Sequence, residues 1–88
     1  MWQAHQPLAM AQASCRWRNW KYVGHLDDRH ELYDLDADPY ELHNRIDDPA
    51  LDQIRREAQA RLIQQMERTD DNAPDARRLR AQLQGMSA

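Results

Sequence analysis

Four histidines and a run of aspartates are the residues of this 88-residue chain that could hold a metal ion. The run Asp34-x-Asp36-x-Asp38 matches the first ligands of a calcium-binding loop, which also needs glycine next and a bidentate glutamate at its twelfth position. Pro39 and Arg45 occupy those two positions. We therefore predict a turn with solvated carboxylates, because aspartate readily forms turns. The histidines are dispersed, and no pair has the i, i+4 spacing of a helical zinc site.

The single cysteine, Cys15, is the residue that could act as a nucleophile. It has no partner for an internal disulfide bond. Free cysteines are more often small buried packing residues than reactive groups. We therefore interpret Cys15 as a half-buried strand residue, and we assign no catalytic, cofactor-binding or metal-binding residue.

Cations alternate with aromatic side chains over residues 16–22. This pattern could bind nucleic acid, because aromatic rings stack on bases and cations neutralise phosphates. It could equally form a protein interface, where tryptophan and arginine are enriched. The net charge of −3 and the pI of about 5.7 argue against nucleic acid and against an anionic membrane as partners. We therefore favour a protein-docking edge, with these interface candidates: Arg16, Trp17, Trp20, Lys21 and Tyr22.

The composition indicates one small domain with a thin core. The chain is 41% hydrophobic and 31% charged, and its mean hydropathy is −1.06. No apolar run approaches the eighteen or more residues that a membrane span needs. The first ten residues have neither the basic start nor the apolar stretch of a signal peptide, so the compartment stays open.

Residue types over 12–35 are aromatic, β-branched and alternating polar, with interruptions at 18–19 and 27–29. This pattern predicts three short antiparallel strands. The strand over 31–35 carries apolar side chains on both faces, which a cover on one face alone cannot bury.

Asp48 followed by Pro49 predicts a helix start. An apolar stripe from Leu51 to Met66 includes Ile54 and predicts a long amphipathic helix, with Gln59 on its outer face. We further expect one helical turn over 40–44 and a second, short helix over 75–84. Residues 1–11 are expected to be an irregular lead-in, residues 12–70 one α+β unit, and residues 71–88 the short helix with a frayed tail from 85 onward.

Several segments in order resemble the C-terminal region of sulfatases. They are WKYV at 20–23, ELYDLDADPYE at 31–41, His43-Asn44 and Asp48-Pro49, and the resemblance covers roughly residues 12–70. The residues after Asn44 depart from the family pattern. The resemblance implies a four-stranded antiparallel sheet with one long helix, docked on the α/β catalytic domain of the alkaline-phosphatase-like superfamily. Together with the residue patterns, it predicts an α+β fold: a small antiparallel sheet of three to four strands packed by one long C-terminal helix.

Sulfatases use calcium and a formylglycine that is made within a C/S-x-P-x-R motif. Around Cys15 this chain has Trp17 in place of the proline and Asn19 in place of the arginine. The resemblance therefore implies an accessory subdomain of a sulfuric-ester hydrolase, whose partner is a missing N-terminal catalytic domain. No activity is expected of this chain alone. The alternatives are a stand-alone interaction module and a small nucleic-acid binder, both using the aromatic and basic hairpin.

Overall fold

The structure is a computed structural model that describes residues 12–69 and 74–87. Three strands come first: β1 (Gln12–Trp17), β2 (Trp20–His25) and β3 (Glu31–Asp34). A short 3₁₀ helix (Pro49–Leu51) leads into α1 (Asp52–Thr69), and α2 (Pro74–Ser87) follows. The expected irregular lead-in, residues 1–11, lies outside the described residues.

The strands form one antiparallel sheet in the order β1-β2-β3, which confirms the α+β prediction. Cys15 lies opposite Tyr22, and Tyr22 lies opposite Leu32. Because side chains alternate along a strand, these residues share one face of the sheet, called here the inner face. Their neighbours in the chain lie on the opposite, outer face.

Both helices pack against the inner face, so the molecule has two layers. A Cβ atom built on Gly24 of β2 would lie 3.3 Å from Leu62 of α1 and 3.6 Å from Leu79 of α2. Leu62, Leu79 and Leu83 are completely buried. Each contributes about 1.5–3 kcal/mol of hydrophobic stabilisation.

The predicted helix start at Asp48 is confirmed. The Asp48 carboxylate accepts a hydrogen bond from Ala50 N at 2.9 Å, and Pro49 occupies the first helical position, where its missing N–H costs nothing. The apolar face of α1 differs from the prediction. Ile54 is only half-buried and stands outside the core cluster, whereas Gln59, expected on the outer face, is completely buried.

Helix α2 is longer than the predicted 75–84 and continues through residues 85–87, which were expected to fray. Its Ala76, Leu79 and Leu83 complete the core. No helix within 12–69 or 74–87 is long and apolar enough to cross a membrane.

The segment 40–44 forms a loop, so the expected helical turn there is wrong. Asn44 instead pairs with the exposed edge of β3. Its Oδ1 accepts a hydrogen bond from Leu32 N at 2.9 Å, its Nδ2 donates to His30 O at 3.1 Å, and Arg45 N donates to Leu32 O at 2.7 Å. These bonds satisfy polar groups that an edge strand would otherwise offer to another chain.

Candidate docking surface

The β1–β2 hairpin carries all the predicted interface residues, but it does not bring them together. Arg16 lies opposite Lys21 on the outer face. Trp17 lies opposite Trp20 at the hairpin end of the inner face, and Tyr22 lies farther along that face. Alternation along the strands therefore separates the cations from the aromatic rings.

Tyr22 is a core residue, so the prediction that it contacts a partner is wrong. Its exposed fraction is 0%. Gln59 Nε2 donates to Tyr22 Oη at 2.9 Å, and the Tyr22 hydroxyl in turn donates to His30 Nδ1 at 2.5 Å. His30 Nε2 then donates to His25 O at 3.1 Å. Because Nδ1 accepts from Tyr22 while Nε2 donates, the His30 ring is neutral. Burial lowers the pKa of His30 below its ordinary value of 6.5, and burial also raises the pKa of Tyr22.

Trp17 and Trp20 are both half-buried. The guanidinium carbon of Arg61 on α1 lies 4.8 Å from the centre of the Trp17 ring, and that of Arg18 lies 5.2 Å away. Trp20 packs against the core cluster. Both tryptophans therefore help to attach the hairpin to the helices and leave only part of each ring for a partner.

The loop over residues 36–44, called here the Asp38 loop, is held by carboxylates. Asp38 Oδ1 accepts from Leu42 N and Asp38 Oδ2 accepts from His43 N, both at 2.9 Å. These backbone N–H groups lower the pKa of Asp38. Asp34 Oδ1, at the end of β3, accepts from Asn19 Nδ2 at 2.8 Å and from the loop amides of Asp36 and Ala37 at 3.1 and 3.3 Å. These bonds tie the first hairpin to the loop and lower the pKa of Asp34. The predicted turn is therefore present, with its carboxylates bound to donors as well as to solvent.

Two large apolar side chains of the Asp38 loop point into solvent. Tyr40 is 82% exposed and Leu42 is 73% exposed. The intervening Glu41 has a φ of 58°, a conformation that non-glycine residues adopt rarely and only when the surroundings enforce it. Neither residue is among the interface candidates predicted from the sequence. The signal for them was an aromatic and a leucine flanking a glutamate immediately after the Asp-Pro turn.

Glu41 also links the loop to the outer face of the sheet. Its carboxylate accepts from Lys21 Nζ at 3.0 Å, and both side chains are about one-third exposed. Arg16, opposite Lys21, is exposed and makes no ion pair within residues 12–69 and 74–87. On the outer face, Lys21 is therefore neutralised by Glu41, whereas no described carboxylate neutralises the neighbouring Arg16.

Farther along the outer face, His25, Glu31 and Tyr33 form a hydrogen-bonded row. Tyr33 is only 8% exposed, although the sequence suggested that a helix on one face would leave it uncovered. Its hydroxyl donates to Glu31, whose other oxygen lies 2.5 Å from His25 Nε2. The bond to Glu31 raises the pKa of Tyr33 to about 12, and the same bond is the main cause of the lowered pKa of Glu31.

A concavity of about 250 Å³ lies where the outer face meets the Asp38 loop. The side chains that line it come from both elements: Arg16, Lys21, Leu35, Pro39 and Glu41. A larger cleft of about 590 Å³ lies elsewhere, between the β2–β3 turn and the end of α2. That cleft is open to solvent. Polar side chains that line it already pair with each other, Arg29 with Asp47 and Gln82 with Asp27.

Cys15 is a packing residue of β1, as expected, but it is buried in the core rather than half-buried. It is buried, its Sγ lies 3.7 Å from Ala58 O, and burial raises the pKa of its thiol. A raised pKa reduces the thiolate that nucleophilic chemistry needs. Across the described residues no three histidine, cysteine, aspartate or glutamate side chains group as metal ligands would.

Comparison with known proteins adds no relative: no protein-family model, curated protein or solved structure matches this chain.

Proposed function

We propose that this chain is the C-terminal accessory subdomain of a sulfatase-type sulfuric-ester hydrolase. It would complete the enzyme by docking on a larger N-terminal catalytic domain, which would supply the nucleophile and the metal ligands. The proposal rests on the order of segments that resembles sulfatases and on what those residues do in the fold.

The observation that carries the proposal is the construction of the Asp38 loop. The polar residues of the resembling segment hold backbone in place: Asp34 joins the loop to the first hairpin, Asp38 binds two amides, and Asn44 pairs with the edge of β3. The loop is therefore fixed by several hydrogen bonds while the side chains of Tyr40 and Leu42 remain exposed to solvent. Exposed aromatic and apolar side chains on a preorganised loop favour a protein contact, because little conformational entropy is lost on docking.

The chemistry of Cys15 also favours an accessory role over a catalytic one. A formylglycine residue has to be reached by its modifying enzyme and by the substrate. Cys15 is buried beneath α1 and lacks the surrounding C/S-x-P-x-R motif.

Sequencing the DNA upstream of Met1 tests the proposal. We expect an in-frame extension of several hundred codons that includes the C/S-x-P-x-R motif. A stop codon shortly before Met1 would refute the accessory role and leave a separate small protein. The stand-alone interaction module would then be the remaining hypothesis.

A further inference from the structure

We infer that Arg16 anchors the docking surface and that the partner segment presents a carboxylate next to an apolar side chain. This inference rests on the proposed function, because the occupant is a segment of the catalytic domain. It goes further by naming the chemistry of that segment and the place where it binds.

Arg16 and Lys21 form a cross-strand pair of like charges. Like charges directly opposite each other on a sheet destabilise the pair. Glu41 neutralises Lys21 through contacts of 3.0 and 3.2 Å, but no described carboxylate reaches Arg16. A carboxylate from outside would relieve the repulsion, and an arginine can bind it through two parallel hydrogen bonds.

The concavity beside Arg16 has walls that are partly apolar. Leu35 and Pro39 line it together with Arg16, so an anion that binds there lies against aliphatic surface. Its volume of about 250 Å³ suits one or two side chains and is too small for a folded element. Tyr40 and Leu42 do not line the concavity, but they are exposed and are the immediate neighbours in the chain of Glu41, which does.

Charge complementarity selects the occupant. A basic segment would face Arg16, whose charge no described carboxylate neutralises, and a purely apolar segment would bury Arg16 without a counter-ion. An acidic residue beside an aromatic or aliphatic one would pair its carboxylate with Arg16 and pack its apolar neighbour against Leu35 and Pro39. We therefore assign the surface to an acidic and apolar segment of the catalytic domain.

A titration of the 88-residue chain tests this chemistry directly. The probe is 3-phenylpropionate, which joins one carboxylate to one apolar ring, and the neutral control is 3-phenylpropionamide. Amide resonances of Arg16, Lys21 and Leu42 should shift with a dissociation constant on the order of millimolar, as befits so small a ligand. The amide probe should cause no such shift at Arg16.

Two charge-reversal variants locate the site. Arg16→Glu should abolish the shifts. Arg77→Glu reverses a second exposed arginine without an ion pair among the described residues, on α2, and should leave the shifts unchanged. Unchanged far-ultraviolet circular dichroism would verify that each variant folds. Absence of binding, or equal binding by Arg16→Glu, would overturn the inference.

The same variants applied to the polypeptide that includes the upstream catalytic domain test the occupant. Arg16→Glu should increase proteolysis between the two domains at least several-fold, and Arg77→Glu should not. Carboxylate binding with no effect on the joined domains would contradict the assignment to that partner. The titration uses only the 88-residue chain, so its outcome does not depend on a catalytic domain. The upstream DNA sequence tests the proposed function separately.

Discussion

Tyr22→Phe removes one oxygen atom from the centre of the buried network that joins β2 to α1. The hydroxyl accepts a hydrogen bond from Gln59 Nε2 and donates one to His30 Nδ1. Phenylalanine retains the ring, its volume and its packing against the core. The substitution therefore isolates the polar contribution from the hydrophobic one.

The expected loss has two parts. His30 Nδ1 loses its donor in a site where the residue is 5% exposed, and a buried polar group without a partner costs about 1–3 kcal/mol. Loss of the hydrogen bond from Gln59 adds about 0.5–1.5 kcal/mol. We expect the free energy of unfolding to fall by about 1.5–4.5 kcal/mol, a large part of the 5–15 kcal/mol typical of a small domain.

Urea unfolding at pH 7.5, followed by tryptophan fluorescence and by circular dichroism, would measure this loss. Tyr40→Phe is the matched control, because it makes the same chemical change on a side chain that is 82% exposed, and it should change stability by less than about 0.5 kcal/mol. A loss below about 1 kcal/mol for Tyr22→Phe would refute the view that this network fixes α1 on the sheet.

Three further predictions concern His30 of the same network, Gly24 of β2 and the Asp38 loop. Since the folded pKa of His30 is lowered by burial, the unfolded chain binds more protons below pH 6.5. The stability that neutral, buried His30 contributes is therefore complete above pH 6.5. It is lost as the pH falls from 6.5 toward the lower pKa of His30 in the folded protein. Urea unfolding between pH 7.5 and 5 should show this loss, and His30→Gln should flatten the slope; an identical slope would contradict it. Gly24→Ala should cost about 1–3 kcal/mol by thermal unfolding, because the new Cβ lies 3.3 Å from Leu62, and stabilisation would show that the contact relaxes freely. Asp38→Ala should speed hydrogen exchange of the Leu42 amide while amides of β2 stay protected, and unaltered exchange at Leu42 would disprove the role of the carboxylate.

Strands and helix starts could be predicted because they depend on neighbours in the chain. The alternation over 12–35 and the breaks at 18–19 and 27–29 lie within a few residues of the strands that they delimit. Asp48 accepts its capping bond from Ala50, only two residues away. Interactions of this range can be read from the sequence, and these predictions are confirmed at nearly the expected bounds.

The docking candidates were harder to predict, because exposure is a property of the whole fold. Adjacent cations and rings in the sequence suggested a single surface, yet alternation placed Arg16 and Tyr22 on opposite faces of the sheet. The most exposed apolar residues, Tyr40 and Leu42, looked like ordinary turn residues. Their exposure follows from the bonds that Asp38 makes to the loop backbone.

The sequence by itself determined the α+β order of elements, the turn at Asp38 and the cap at Asp48, because alternation, turn chemistry and capping act locally. The tertiary structure decided which polar residues are buried. Gln59 belongs in the core because the hydroxyl of Tyr22, distant in the chain, supplies its hydrogen-bond partner there. A side-chain amide can be buried at low cost only where it finds a hydrogen-bond partner. The packing of α1 against β2 brings the Gln59 amide next to the Tyr22 hydroxyl.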